Sequence, residues 1–289
     1  MYLYSAFSLT IASELELPEL AEGQGEPDVV IRLGSVTRQP QPATIDDEVA
    51  ITLDVGGFHI KCGREIVVDP LPGADPGVLR VLLEGRVMAF LLRQRGCLPL
   101  HASGIAIGGQ GVLFVGESGG GKSTTAAAFY SRGHHVLTDD VGAVRVVGGR
   151  VELRTGWSGL RLLEDARKVI RRRAQPSGFQ DVKHVFHLER PESGASPFSV
   201  KRIYFLEYSA DDQLPVRSDV LKGSSAAAIL NSHSFLRPWR SDNELLRINL
   251  GRCASVAAVL PVHRLVRSQS LGCLPELVDF VEKDILSNE

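Results

Sequence analysis

A chain of 289 residues, 44% of them hydrophobic, can bury one large core, or one core and a smaller satellite. Its formal charge of −2 argues against a nucleic-acid footprint, and the longest apolar stretch, Val78 to Leu92, carries Arg80, Glu84 and Arg86, so no membrane span is expected. Cys62, Cys97, Cys253 and Cys273 are scattered, without a CxxC or Cys/His metal spacing, and a reduced, cytoplasmic setting is the default.

In chain order, Tyr2 to Ser13 lacks the basic start of a signal peptide, is interrupted by Glu14 and Glu16, and reads as a strand. Short strand runs follow at Val29–Leu33, Val49–Leu53 and Phe58–Ile60, separated by Gly, Pro and Asp turns. Pro70-Leu71-Pro72-Gly73 marks a boundary. Asp75-Pro76 then opens an amphipathic helix with Leu79, Leu83, Val87 and Phe90 at helical spacing. The expected organisation is a small β-rich region over 1–72 and a larger α/β domain over 73–289.

Gly116-Glu117-Ser118-Gly119-Gly120-Gly121-Lys122-Ser123 fits GxxxxGK[ST], with Val112–Val115 before it and Thr124 to Phe129 after it. Strand, glycine loop and helix in this order form a phosphate cradle: backbone N–H groups turn inward and the helix dipole adds positive potential. Lys122 is expected at the β/γ-phosphates, and the Ser123 hydroxyl as a ligand of Mg²⁺. ATP or a related triphosphate with Mg²⁺ is the ligand this implies.

Spacing brings three more groups to the loop. His101–Ile107 and Val112–Val115 flank Gly108-Gly109-Gln110-Gly111, a hairpin signal; pairing of Ile107 with Val112 would put His101 opposite residues 116 to 118. Downstream, a helix from Lys122 to Arg132 stops at Gly133, and the strand His134–Thr138 ends in Asp139-Asp140. A crossover of this length gives parallel strands that finish at one sheet edge, so both carboxylates reach the phosphates. One can hold Mg²⁺ while the other accepts the proton of an attacking hydroxyl.

Further on, Ile203–Leu206 and Val262–Val266 read as strands and Ser224 to Ser232 as a helix. The final helix carries Leu274, Leu277, Val278, Val281 and Ile285 on one face and Glu276, Asp279, Glu282 and Lys283 on the other. Arg171-Arg172-Arg173 and Arg237/Arg240 are local basic spots available to a substrate.

Leu100-His101-Ala102-Ser103, GESGGGKST and Leu137-Thr138-Asp139-Asp140-Val141, in this order, resemble the catalytic domain of HPr kinase/phosphorylase and its shorter HPr kinase-like relatives. The resemblance is close over residues 98 to 142 and looser to the C-terminus, through Ile203–Glu207 and Val259–Leu265. It implies a P-loop α/β core of the HPr kinase and phosphoenolpyruvate-carboxykinase-like type, beside the small β-rich N-terminal region. It implies transfer of phosphate from ATP to a serine hydroxyl. Carried over by position, Lys122 and the loop from Gly116 through Thr124 hold phosphates, Ser123 helps hold Mg²⁺, Asp139 is the base, Asp140 a metal-side carboxylate, and His101 the active-site histidine. Glu164 and Arg161 are the candidates for a further metal-binding Glu and an Arg on the substrate phosphate. Relatives often form hexamers, which implies a homo-oligomer, although no segment here marks an interface.

The first 70 or so residues do not resemble the regulatory domain of full-length HPr kinases. Short relatives occur with peptide natural-product pathways, including lasso-peptide precursors phosphorylated on serine, so the expected acceptor is a serine of a peptide or small protein. Two alternatives stand beside it: HPr kinase/phosphorylase activity proper, with phosphate removal by the same groups, and a non-catalytic nucleotide sensor. Adjacent Asp139 and Asp140 favour catalysis, because sensing needs no proton acceptor beside the metal carboxylate.

Overall fold

Strict alternation of side chains sets the first sheet. In the computed structural model, which describes residues 1–36, 47–157, 159–170, 175–180, 183–188, 197–211, 214–235 and 243–287, the chain divides into Met1–Pro99 and Leu100–Glu289. The first unit contains β1 (Tyr2–Ala6), β2 (Leu9–Ser13), β3 (Ala21–Glu22), β4 (Val29–Leu33), β5 (Glu48–Leu53), β6 (Gly56–Lys61) and β7 (Glu65–Pro70). They form one sheet in the order β3-β1-β2-β4-β7-β6-β5. Inward residues at every second position, Val29 and Ile31, Phe58 and Ile60, Ile66 and Val68, are fully buried. The expected strand over 2–13 is a hairpin, because Phe7 and Ser8 adopt left-handed backbone and reverse the chain.

α1 (Pro76–Leu82) starts where the sequence indicates: Asp75 Oδ1 accepts from the N–H groups of Gly77 at 2.7 Å and Val78 at 3.0 Å, and Pro76 occupies the first turn. The helix then widens into a π-helical turn over Leu83–Val87 before α2 (Met88–Gln94). The extra residue lies around Gly85, where the uniform 3.6 spacing taken from sequence does not hold. This whole helical segment falls in the first unit, whereas the expected boundary at 72/73 groups it with the larger domain.

β8 (Leu98–Ile107) leads into the second unit, followed by β9 (Gln110–Val115), α3 (Lys122–Arg132), β10 (His135–Thr138), β11 (Val141–Val147) and β12 (Arg150–Arg154). A three-stranded sheet comes next, from β13 (Gly159–Leu162), β14 (Gln175–Gln180) and β15 (Lys183–His187), with the short α4 (Glu164–Arg167) after β13. The chain continues through β16 (Phe198–Tyr208), β17 (Arg217–Leu221), α5 (Gly223–Ser232), α6 (Asn243–Val259), β18 (Val262–Arg267) and α7 (Leu274–Leu286). The main sheet has eight strands, β10-β8-β11-β12-β16-β18-β17, with β9 bonded to both β8 and β16. β9, β16 and β18 run parallel and therefore end together.

Phe114 of β9 stacks on Phe129 of α3 at 5.5 Å and on Tyr204 of β16 at 5.8 Å, and the apolar face of α7 closes this core as its periodicity foretells. Helix α7 is also tied by charge: Asp284 receives both the Arg202 guanidinium and the Tyr204 hydroxyl. His263 lies edge-on to Tyr204 at 5.8 Å. Burial first, and the Arg202 charge second, hold the His263 imidazole below its ordinary 6.5, with Asp284 opposing. The unfolded chain therefore takes up a proton at His263 before the folded chain does. Stability is full above pH 6.5 and declines as pH falls below it. We expect His263→Gln to show a smaller loss of thermal midpoint between pH 7.5 and 5.5 than the parent chain; an identical loss would remove His263 from the acid response.

Among the described residues no helix is long and apolar enough to cross a membrane. Arg171, Arg172, Arg173, Arg237 and Arg240 lie outside the described residues.

Candidate active site

The glycine loop connects β9 to α3, which begins at Lys122 as the motif requires. Gly119 and Gly121 have φ of 78° and 80°, conformations that β-carbon-bearing residues resist. The N–H of Gly120 donates to Glu117 O at 2.9 Å, and that of Thr125 to Gly121 O at 2.8 Å, so the loop closes on itself and hands over to the helix. Glu117, Ser118 and Gly119 form its exposed rim. The Lys122 side chain is buried and folds back, Nζ donating to Gly116 O and Glu117 O, both at 2.9 Å.

β8 and β9 form the expected hairpin with a different register. Ile107 pairs with Gln110, not Val112, because Gly108 and Gly109 both take positive φ and make a two-residue turn. The four-residue turn read from sequence was two residues too long. Ala102 pairs with Val115, which leaves His101 one step beyond, level with Gly116. There the His101 N–H donates to His233 O at 2.8 Å, from the end of α5, and the ring meets Phe235 edge-on at 6.0 Å.

The crossover through α3 also differs in detail. β10 does not pair with β9; β8 lies between them, antiparallel to both, so β9 and β10 still run the same way and end at the same edge. At that edge the Thr138 hydroxyl donates to Val141 O at 2.6 Å, closing the turn that carries both aspartates. Asp140 has φ of 76°, a left-handed conformation that aspartate tolerates better than most residues yet still at some cost.

The two carboxylates occupy different surroundings. Asp139 is 6% exposed; its Oδ1 accepts from Ser103 Oγ at 2.6 Å and Ser123 Oγ at 2.9 Å, and its Oδ2 from the Arg161 N–H at 3.3 Å. Asp140 is more open, and its Oδ1 lies 3.0 Å from His101 Nε2. One carboxylate thus joins the helix-start serine while its neighbour joins the histidine. Among the described residues no cluster of three or more His, Cys, Asp or Glu side chains forms a metal centre. A carboxylate beside hydroxyl oxygens suits Mg²⁺, which takes one or two protein carboxylates and completes its shell from phosphates and water.

Of the other sequence candidates, Arg161 places its backbone on Asp139 while its guanidinium lies over the Trp157 ring, 4.4 Å from the centroid. Glu164 pairs with His184 at 2.5 Å and Arg167 at 3.6 Å. Ser103 was passed over in the sequence reading, although it stands two residues after His101 on the same face of a strand. Tyr208 and Arg267 carried no local signal; only the parallel pairing of β16 and β18 brings them to the loop.

No family model matches the chain. Curated relatives include the HPr kinase/phosphorylases of Caldicellulosiruptor bescii, 34% identical over 86 residues, and Lachnoclostridium phytofermentans, 30% identical over 92 residues. These segments are 30% and 32% of this chain and 25% and 27% of the relatives; the enzyme of Caldanaerobacter subterraneus is 41% identical over 51 residues, 18% of this chain and 17% of its own length. The chain thus spans about a quarter or less of these proteins. Among solved structures, the Hpr(Ser) kinase/phosphatase from Coxiella burnetii is 13% identical, with a TM-score of 0.33, covering 65% of this chain and 97% of that one.

Proposed function

Starting from the HPr kinase-like relationship of this chain, we propose that it transfers the γ-phosphate of ATP to a serine hydroxyl on a peptide or small protein. The observation that carries this reading is the split pair of aspartates at the end of the strand beside the glycine loop. The loop amides and the start of α3 hold the polyphosphate, and Lys122 exchanges its two loop carbonyls for phosphate oxygens. Ser123 and one aspartate would hold Mg²⁺, which when bound would supply positive charge to the phosphate oxygens.

The geometry favours the reverse of the division of labour implied by the resemblance. Asp139 is buried against the Ser123 hydroxyl, which suits the metal side. Asp140 is open to a substrate and ordered by His101, which suits the proton acceptor. In the reaction the serine oxygen bonds to the γ-phosphorus as the bond to the bridging oxygen of ADP breaks, and the serine proton passes to Asp140. His101 orients that carboxylate through its Nε2.

All of these groups come from the unit Leu100–Glu289. A mobile peptide can bring its hydroxyl in line with the phosphorus without unfolding anything. We therefore expect that Mg-ATP, HPr and a serine-ended precursor peptide of the lasso type, incubated together with the protein, yield a mass gain of one phosphate on the peptide. Labelling of HPr alone would redirect the assignment to HPr kinase/phosphorylase proper. Labelling of neither, with ATP binding intact, would favour a nucleotide sensor.

A further inference from the structure

We propose that Arg267 is a fixed counter-charge for bound polyphosphate, buried behind the glycine loop, and that Tyr208 couples it to the loop's shape. The proposal rests on the nucleotide reading above. Tyr208 and Arg267 are paired neighbours at the ends of β16 and β18. The guanidinium carbon lies 4.8 Å from the centre of the Tyr208 ring, and Nη2 donates to the Tyr208 hydroxyl at 3.3 Å. That hydroxyl lies 3.4 Å from Gly119 O as its donor. A β-carbon at Gly121 would stand 2.2 Å from Arg267 Nη2 and 2.7 Å from the Tyr208 oxygen, so the guanidinium presses directly on the residue before Lys122.

The charge itself is the unusual part. Arg267 is 1% exposed, and an arginine stays protonated in a protein. Its other contacts are Ser268 O at 3.0 Å and Cys273 Sγ at 3.6 Å, both from Nη1, while Nε has no hydrogen-bond partner. Every one of these groups is neutral, and among the described residues no carboxylate pairs with it. A buried cation without a counter-charge is costly, and more so beside the positive end of α3. Phosphate oxygens seated in the loop would supply the missing negative charge across Gly121. Arg267 does not reach the mouth of the site, so it acts through its field and through the loop: it is a positioning residue, distinct from Lys122.

Two variants of the full chain test this, Arg267→Met and Arg267→Lys, with calorimetric affinities for Mg-ATP and for tripolyphosphate at low and moderate salt. Methionine should weaken both ligands about tenfold or more and flatten the dependence of affinity on salt, while the ligand-free thermal midpoint stays level or rises. Lysine should restore most of the affinity. Parent-like affinity and salt dependence in the methionine variant would make Arg267 a packing residue only. A loss of tripolyphosphate binding that lysine fails to restore would likewise overturn the charge role, and it remains readable if the methionine variant does not fold. If the parent chain binds neither ligand, the nucleotide reading itself fails, a result distinct from failure at Arg267.

Discussion

Lys122→Ala is expected to abolish phosphate transfer and to weaken Mg-ATP binding roughly 10- to 100-fold, the usual range for losing a charge-assisted hydrogen bond. In the folded chain the ammonium is buried and bonded to Gly116 O and Glu117 O, two consecutive carbonyls at the start of the glycine loop. The alanine variant therefore leaves two carbonyl oxygens facing the ligand with no cation between them. Calorimetry with Mg-ATP and a transfer assay decide the matter, with circular dichroism to verify the fold. Unchanged transfer would remove the phosphate-loop assignment.

The second large effect separates the aspartates. Asp140→Asn should keep nucleotide affinity and lower turnover roughly 10²- to 10⁴-fold, because an amide preserves shape and cannot take the serine proton. Asp139→Asn should instead raise the Mg²⁺ concentration needed for half-maximal rate, since the oxygen shared with Ser123 Oγ loses its charge. Titrating Mg²⁺ against rate for both variants distinguishes the roles. Exchanged phenotypes would return the base to Asp139, where the family resemblance puts it, while leaving the site intact.

The elements that carry this chemistry were legible because each is fixed by short-range rules. The helix from Lys122 to Arg132 is bounded by two left-handed glycines, Gly121 and Gly133, and α7 by a clean apolar stripe. The β8–β9 hairpin was visible in its paired glycines, and only the turn length escaped, since GGQG does not say which two residues reverse the chain. α6, β11 to β15 and β17 were not anticipated. β13 and β17 are specified by pairing with strands further along the chain, and α6 has only weak apolar periodicity, whereas β11 and β12 meet across the Gly148-Gly149 turn, a local hairpin signal that was missed.

The site divides the same way. His101, Lys122, Ser123 and the two aspartates follow from spacing along one continuous stretch. Their roles do not, because burial of Asp139 and exposure of Asp140 depend on the turn closed by Thr138 and on Ser103 from another strand. Arg267 and Tyr208 lie at sequence distances where no motif reaches.

Because β9, β8 and β10 are consecutive ladder partners, the glycine loop, the histidine and the carboxylates are mounted on three adjoining strands. Adding or deleting one residue in β8 would reverse which face His101 and Ser103 occupy, and both would leave together. Length changes across this lineage should therefore be excluded from residues 98–115 and gather instead at surface turns such as the exposed Gly148-Gly149 reversal between β11 and β12. The spacing of fifteen residues from His101 to Gly116 is, in that sense, a mechanical dimension of the protein.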